Sequence, residues 1–398
     1  MRGCWRAVLT GMLGLGMSGG WAQTKMATVS LTPYGWMSEQ EINLQHPNPA
    51  REGWIISGPS GGVAWRGVGE VAVDGKGRVY VGLPIWASGD APKSAARGQG
   101  DKLRVLVLNA GGKGEVERTM DFPTKSLDRL DLRLAADGTL LVVADDKLMR
   151  VGGDGRPTVE MALPNAQKEF EPWYLQSSTT GHTVRVRLNW KSSLLVDAEK
   201  LTVLKQCQEA NDLNDIGEMT DDLEVMSQVE TTRPTLTYGL EREAFCEKRE
   251  RLGQFGDIDF VPAVVDDGRF LAISRETIAL RKLSGETVWT SKAPAGRVLP
   301  KEEGEERLSR DGSRVAVRVL RPAQYQRLES MAQRTVEVED QIAVWDVASG
   351  RLVGQVPVQA QGSVRDLYSK AKASFALSPD GRLLAVLQDG VLILWKME

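Results

Sequence analysis

The sequence predicts an all-β fold, a closed β-propeller of seven four-stranded blades with six as the alternative, and three observations predict it. A short apolar strand repeatedly meets an Asp-Gly type turn and continues into a second apolar strand. These turns recur at a period of about 43 residues. Each unit then closes on a second glycine turn with β-forming residues on both sides. A small twisted sheet of this kind cannot bury both faces alone, so such units stack radially.

The last unit is the most legible. Phe375 and Leu377 lead to Ser378-Pro379-Asp380-Gly381, an apolar strand runs from Arg382 to Leu387, and a turn at Asp389-Gly390 opens a third strand from Val391 to Trp395. Three strands and two turns in about 25 residues require antiparallel neighbours. Earlier copies repeat the grammar. Asp74-Gly75 and Lys76-Gly77 precede Arg78 to Val81, Asp137-Gly138 precedes Thr139 to Val143, and Thr180-Gly181 precedes Val184 to Leu188. Asp267-Gly268 precedes Arg269 to Ile273, and Asp311-Gly312 precedes Ser313 to Val317. The closing turns are Ser284-Gly285-Glu286 before Thr287 to Trp289, Ser349-Gly350 before Arg351 to Val353, and Gly152 to Gly155 after Leu148 to Val151, with glycine where positive φ is needed.

Turn spacing gives the blade count. The intervals from Gly138 to Gly181 and from Gly268 to Gly312 set the period, while that from Gly181 to Gly268 is twice as long and predicts a degenerate unit near residues 211–260. That makes seven blades, or six if the acidic stretch there is an insertion. The last unit has three strands of its own. Met26 to Thr32 alternates correctly and is predicted to complete that blade as its outer strand, which would otherwise leave an exposed edge.

Asp380-Gly381-Arg382 through Leu394-Trp395, and Ile342 through Arg351 with Trp345-Asp346 and Ser349-Gly350, resemble WD40-like and quinoprotein-like propeller repeats over about 120 residues at the C-terminal end. The Gly-His dipeptides of WD40 repeats are missing. Leu280 to Trp289 is similar to the glycine and tryptophan end of the repeat in pyrroloquinoline-quinone dehydrogenases, a family whose tryptophans dock neighbouring blades, so blade packing explains Trp289, Trp345 and Trp395. The resemblance implies a fold and no single function, because propellers host many activities.

Residues 1–22 have the form of a secretory signal: Arg2 and Arg6, an apolar stretch from Ala7 to Met17, and the small-x-small pattern Gly20-Trp21-Ala22 before Gln23. Cys4 precedes the apolar stretch, so it is not the acylated cysteine of a lipoprotein signal. These features predict a periplasmic or secreted protein without a membrane anchor, formed as a single domain over residues 23–398. The whole chain carries 50 basic and 53 acidic residues, a net charge of −3, and loss of Arg2 and Arg6 makes the mature chain more acidic still, which argues against a nucleic-acid partner. Of three cysteines, Cys207 and Cys246 remain after cleavage, and an oxidising destination favours their pairing as a structural disulfide.

No constellation of catalytic residues emerges, and no cofactor or metal is predicted. Asp212 to Gly217 starts like a calcium loop but has Ile216 and Leu223 where the fifth and twelfth positions need oxygen ligands. Gly58 to Gly62 lacks the Gly-Lys-Ser/Thr ending of a phosphate loop, the G-x-S-x-G pattern is absent, and His46 and His182 stand in no motif. Two insertions are more informative. Residues 85–101 and 320–340 both interrupt the connection from second to third strand of their blades, so both leave the propeller on one face. The first carries Trp86; the second has Pro322 at a first helical position and Tyr325, Leu328 and Met331 as one apolar stripe. A monomeric, exported scaffold that binds a protein or glycan partner through that face is the expected function. The alternative is a propeller enzyme of the quinoprotein dehydrogenase or calcium-dependent lactonase type.

Overall fold

The computed structural model describes residues 23–36, 56–57, 63–64, 70–85, 102–109, 111, 114–124, 131–144, 147–164, 174–189, 192–207, 220–221, 223–232, 235–245, 250–256, 260–266, 268–299, 306–320, 335–363, 374–388 and 390–398. The chain opens with β1 (Gln23–Ser30) and a short hairpin, β2 (Ile56–Ser57) with β3 (Val63–Ala64). The first blade is β4 (Glu70–Val73), β5 (Arg78–Ile85), β6 (Lys102–Asn109) and β7 (Val116–Pro123), hydrogen-bonded in that order. The second is β8 (Asp131–Leu134), β9 (Leu140–Ala144), β10 (Lys147–Val151) and β11 (Pro157–Ala162). The third is β12 (Tyr174–Ser177), β13 (Thr183–Asn189), β14 (Ser192–Asp197) and β15 (Thr202–Cys207). A three-stranded sheet follows: β16 (Leu223–Thr232), β17 (Thr235–Ala244) and β18 (Glu250–Gly256). The fourth blade is β19 (Phe260–Asp266), β20 (Arg269–Ser274), β21 (Thr277–Lys282) and β22 (Thr287–Lys292), and the fifth is β23 (Glu306–Leu308), β24 (Arg314–Val319), β25 (Thr335–Asp346) and β26 (Leu352–Ser363). The sixth joins β27 (Ser374–Leu377), β28 (Leu383–Gln388) and β29 (Val391–Met397) to β1.

The propeller thus has six four-stranded blades, the alternative count, and the expectation of seven is corrected. The region expected to hide a degenerate blade instead builds a hairpin of two ten-residue strands whose closing pair is Thr232 with Thr235, plus β18. It uses no Asp-Gly turn, and no fourth strand joins it among the described residues.

Burial across each blade follows from the stacking. Central strands are covered on both faces and read as continuous apolar runs: Leu140 to Ala144 of β9 is buried throughout, whereas β11 at the rim is almost wholly exposed. Alternate residues serve opposite interfaces. In β5, Val79, Val81 and Leu83 pack with Leu383, Ala385 and Leu394 of the sixth blade, while Tyr80 packs with Leu132 and Val142 of the second. The same division places Ile278, Leu280 and Trp345 between the fourth and fifth blades, and Val344, Phe375 and Val386 between the fifth and sixth. Removing a Val, Leu, Ile or Phe of this kind from water contributes about 1.5–3 kcal/mol each.

β1 takes the place expected of it. It pairs antiparallel with β29, Lys25 opposite Trp395 and Val29 opposite Leu392, and the Leu31 amide donates to the Gly390 carbonyl at 2.7 Å. The Gln23 side chain reaches further, its Oε1 accepting the Gln355 amide of the fifth blade at 2.7 Å.

Candidate functional site

The two ends of the propeller are built differently, and the difference begins with the turns that close the inner strands. In three of them a serine hydroxyl accepts an amide five residues on: Leu383 to Ser378 Oγ at 2.9 Å, Arg314 to Ser309 Oγ at 2.9 Å and Thr183 to Ser178 Oγ at 3.2 Å. The turn aspartate accepts the amide two residues beyond itself, as Ser313 to Asp311 at 2.9 Å and Thr139 to Asp137 at 2.9 Å. The first blade substitutes Asp74, which is only 2 % exposed and accepts the amides of Lys76 and Arg78, Arg78 Nε at 2.7 Å and Tyr80 Oη at 3.3 Å. Burial, with the Asp74 charge adding to it, pushes the Tyr80 phenol up to about 12.

These turns lie side by side. The Asp311 amide donates to the Pro379 carbonyl at 3.0 Å, and the Ala136 amide to the Gly181 carbonyl at 2.8 Å. Gly181 has φ +77°, and a Cβ there would sit 2.9 Å from the Ala136 nitrogen, so the residue is glycine on two counts.

Arg310 leaves its own blade. Its Nη1 donates to the carbonyls of Ala135 and Ala136, both at 2.9 Å, and its Nη2 to that of Leu134 at 3.0 Å. Arg310 follows β23, and its partners are the last residue of β8 and the two residues after it. Along the succession of inner strands β23 packs on β27, β27 on β4 and β4 on β8, so the side chain reaches past two intervening blades. Burial lowers its affinity for the proton while Asp137 acts in the opposite sense. A guanidinium stays charged regardless, and three carbonyl dipoles replace the water it has lost.

The opposite face carries the long connections. β5 ends at Ile85 and β6 starts at Lys102; β24 ends at Val319 and β25 starts at Thr335. Both join a second strand to a third, so both leave from the end away from the Asp-Gly turns. β25 also runs beyond its blade: β24 stops at Val319 opposite Gln341, yet Thr335 to Asp340 continue to pair with Val358 to Ser363 as a two-stranded ribbon. Part of the insertion predicted over 320–340 is therefore strand. At its root Arg318 and Asp340 form a buried ion pair, with Nε and Nη2 both on Oδ2 and the Nε bond 2.7 Å long. A desolvated pair contributes little net energy, but loss of either partner leaves a buried charge, so it fixes the ribbon's departure.

Trp86, Tyr325, Leu328, Met331, Cys246 and the segment 1–22 lie outside the described residues. Cys207 ends β15, buried with Leu195 and with Phe245, the residue before Cys246. From the acidic stretch, the Asp221 carboxylate is engaged by the hydroxyls of Ser178 and Thr180, which ties that segment to the third blade's turn. His182 is exposed beside the same turn, and no group of three or more His, Cys, Asp or Glu among the described residues is placed to hold a metal. Sequence reasoning missed Arg310 and the Arg318–Asp340 pair. The charge at 318 stands inside the apolar run Val315 to Val319, a signal the sequence carries, whereas Asp340 sits among Glu339 and Gln341 and Arg310 gives none.

No family model matches the chain, and no curated protein does. Among solved structures it is similar to the β-propeller domain of Cps50 (Swd1) from Myceliophteria thermophila, at 13% identity over 83% of this chain and 96% of that one with a TM-score of 0.43. It is also similar to a chain of the Mitotic Checkpoint Complex, at 11% identity over 100% and 99% with a TM-score of 0.49. The blades themselves, with their order of strands and their turn chemistry, make this chain a WD40-like β-propeller.

Proposed function

We propose that the protein is an exported, monomeric propeller scaffold, one closed domain over residues 23–398, that binds a protein partner through the face bearing the two insertions. The carrying observation is the asymmetry of the ends. One end consists of short, internally bonded turns with Arg310 across them; the other releases both long connections and the β25–β26 ribbon. Long loops on a rigid frame are the usual place for recognition, and tight turns with their polar groups engaged offer little to a partner. Removal of a leader ahead of Gln23 would place the protein in the periplasm or outside the cell.

Photo-crosslinking residues at Trp86 and Tyr325, compared with the same residues at Thr180 and Asp380 on the turn face, test this in envelope preparations. Adducts are expected from the first pair. Equal capture from both faces, or from the turn face alone, overturns the reading.

A further inference from the structure

Gln23 opens β1 opposite Met397, and its carboxamide is seated against the fifth blade. Its Oε1 accepts the Gln355 amide at 2.7 Å. Beside it stands Gly354, where a Cβ would come 2.8 Å from that oxygen and 2.6 Å from Met397 Cε, so the seat exists because residue 354 has no side chain. Residues two apart on a strand present their amides to the same edge. Pro357 shares that edge with Gln355 and has no N–H to give, so the β25–β26 ladder does not depend on a donor there.

A leader removed ahead of Gln23 makes that glutamine the first residue, and a terminal glutamine can close on itself. Its α-amine attacks its own Cδ: the N–Cδ bond forms, the Cδ–Nε2 bond breaks, and ammonia departs with the proton the amine gives up, leaving a neutral lactam. No co-reactant is needed. Closure requires the amine and Cδ to reach attack distance, and it folds the side chain back on its own backbone, out of reach of β26. We infer that Gln23 is a cyclisation site held shut by the fold. The Gln355 amide and the seat at Gly354 retain the carboxamide, so the mature protein keeps a free α-amine while β1 is docked and becomes pyroglutamyl when β1 leaves. This rests on the proposed removal of a leader; the seat of the side chain does not.

The test follows the N-terminal peptide of the exported protein by mass spectrometry during incubation at about pH 8, where about half of an ordinary α-amine is unprotonated. Denatured wild-type protein gives the unprotected rate. Native protein is expected to begin at Gln23 with its amine free and to lose ammonia at least ~10-fold more slowly than the denatured chain, because reaction awaits local opening of β1. Gln355→Pro removes the donor, as Pro357 already does two residues on, and Gly354→Ala places a methyl where the carboxamide oxygen sits. Both variants, while native, should cyclise at least ~10-fold faster than the wild-type protein, and either one serves if the other folds poorly. A native chain that begins at residue 23 and is already cyclised, or cyclises at the denatured rate, overturns this inference and leaves the leader reading standing, as do wild-type rates in both variants. A native chain that begins elsewhere overturns both.

Discussion

The indole N–H of Trp289 donates to the carbonyl of Val347 at 2.9 Å and so fastens the outer strand of the fourth blade to the closing turn of the fifth. The ring lies against Gly350 of that turn, where φ is +70° and a Cβ would come within 2.6 Å of ring carbons. The tryptophan that resembles the blade-docking residue of quinoprotein repeats is doing that job here.

Gly350→Ala is accordingly expected to destabilise the protein by about 2 kcal/mol or more, roughly half from the left-handed backbone and the rest from displacing the ring. Trp289→Ala removes the ring that the new methyl would strike. Denaturant titration of the double variant should therefore show less than the summed cost of the two single changes, and strict additivity would contradict the packing described.

Asp74 supplies a second test, in the first blade. Its carboxylate serves two amides, one guanidinium nitrogen and one phenol while almost fully buried. Asp74→Ala leaves those donors unmatched and is expected to cost about 3 kcal/mol, whereas Asp74→Asn keeps an acceptor for the amides and should cost less. Equal losses for the two variants in thermal melts would show that the hydrogen bonds to the turn do not matter.

Most of the architecture was legible because it is local. Val29 and Leu31 alternate with polar neighbours and so mark a half-buried strand, and β1 pairs where that alternation places it. Asp137-Gly138 and Ser309 to Gly312 encode turns through hydroxyl, carboxylate and positive φ within a few residues. The count went wrong where local rules stop. The β16–β17 hairpin carries apolar and β-branched residues like a blade but closes without an Asp-Gly signal, and spacing alone could not say how many strands it holds. The third blade's closing turn was invisible for another reason: Leu201 occupies the left-handed region at φ +52°, where glycine is expected, and its burial against the second blade's Leu148 cluster offsets the strain. Arg310 could not be read at all, since its partners are backbone carbonyls about 175 positions away and any sequence has carbonyls there.

Acid should unfold this protein through its aspartates. The Arg104 guanidinium, with Lys102 beside it, holds the Asp121 carboxyl below the ordinary range even though burial opposes this. At Asp137, Asp266, Asp346 and Asp380 burial would raise the value, and bonds from amides, arginines and serines outweigh it, so these also lie low. A folded value below the unfolded one, about 3.9, stabilises above that pH and is lost as pH falls through the folded value. The melting temperature should be nearly level from about pH 7 to 5 and drop below about pH 4, with a shallower drop in Asp121→Asn. A midpoint that rises between about pH 5 and 3 would contradict the assignment of these groups.

Cys207 gives the last expectation, which follows from the proposal that the protein is exported. It is buried with Phe245 at the end of β15, and an oxidising compartment would favour a bond to Cys246. Closing a loop of about 40 residues limits the unfolded chain and is expected to contribute on the order of 4 kcal/mol. Replacing both cysteines by serine should lower the denaturation midpoint accordingly, and reductant should lower that of the wild-type protein but leave the double variant unmoved. Alkylation of both thiols in native exported protein, without reductant, would show that no such bond forms and that the cluster around Cys207 holds a plain buried thiol.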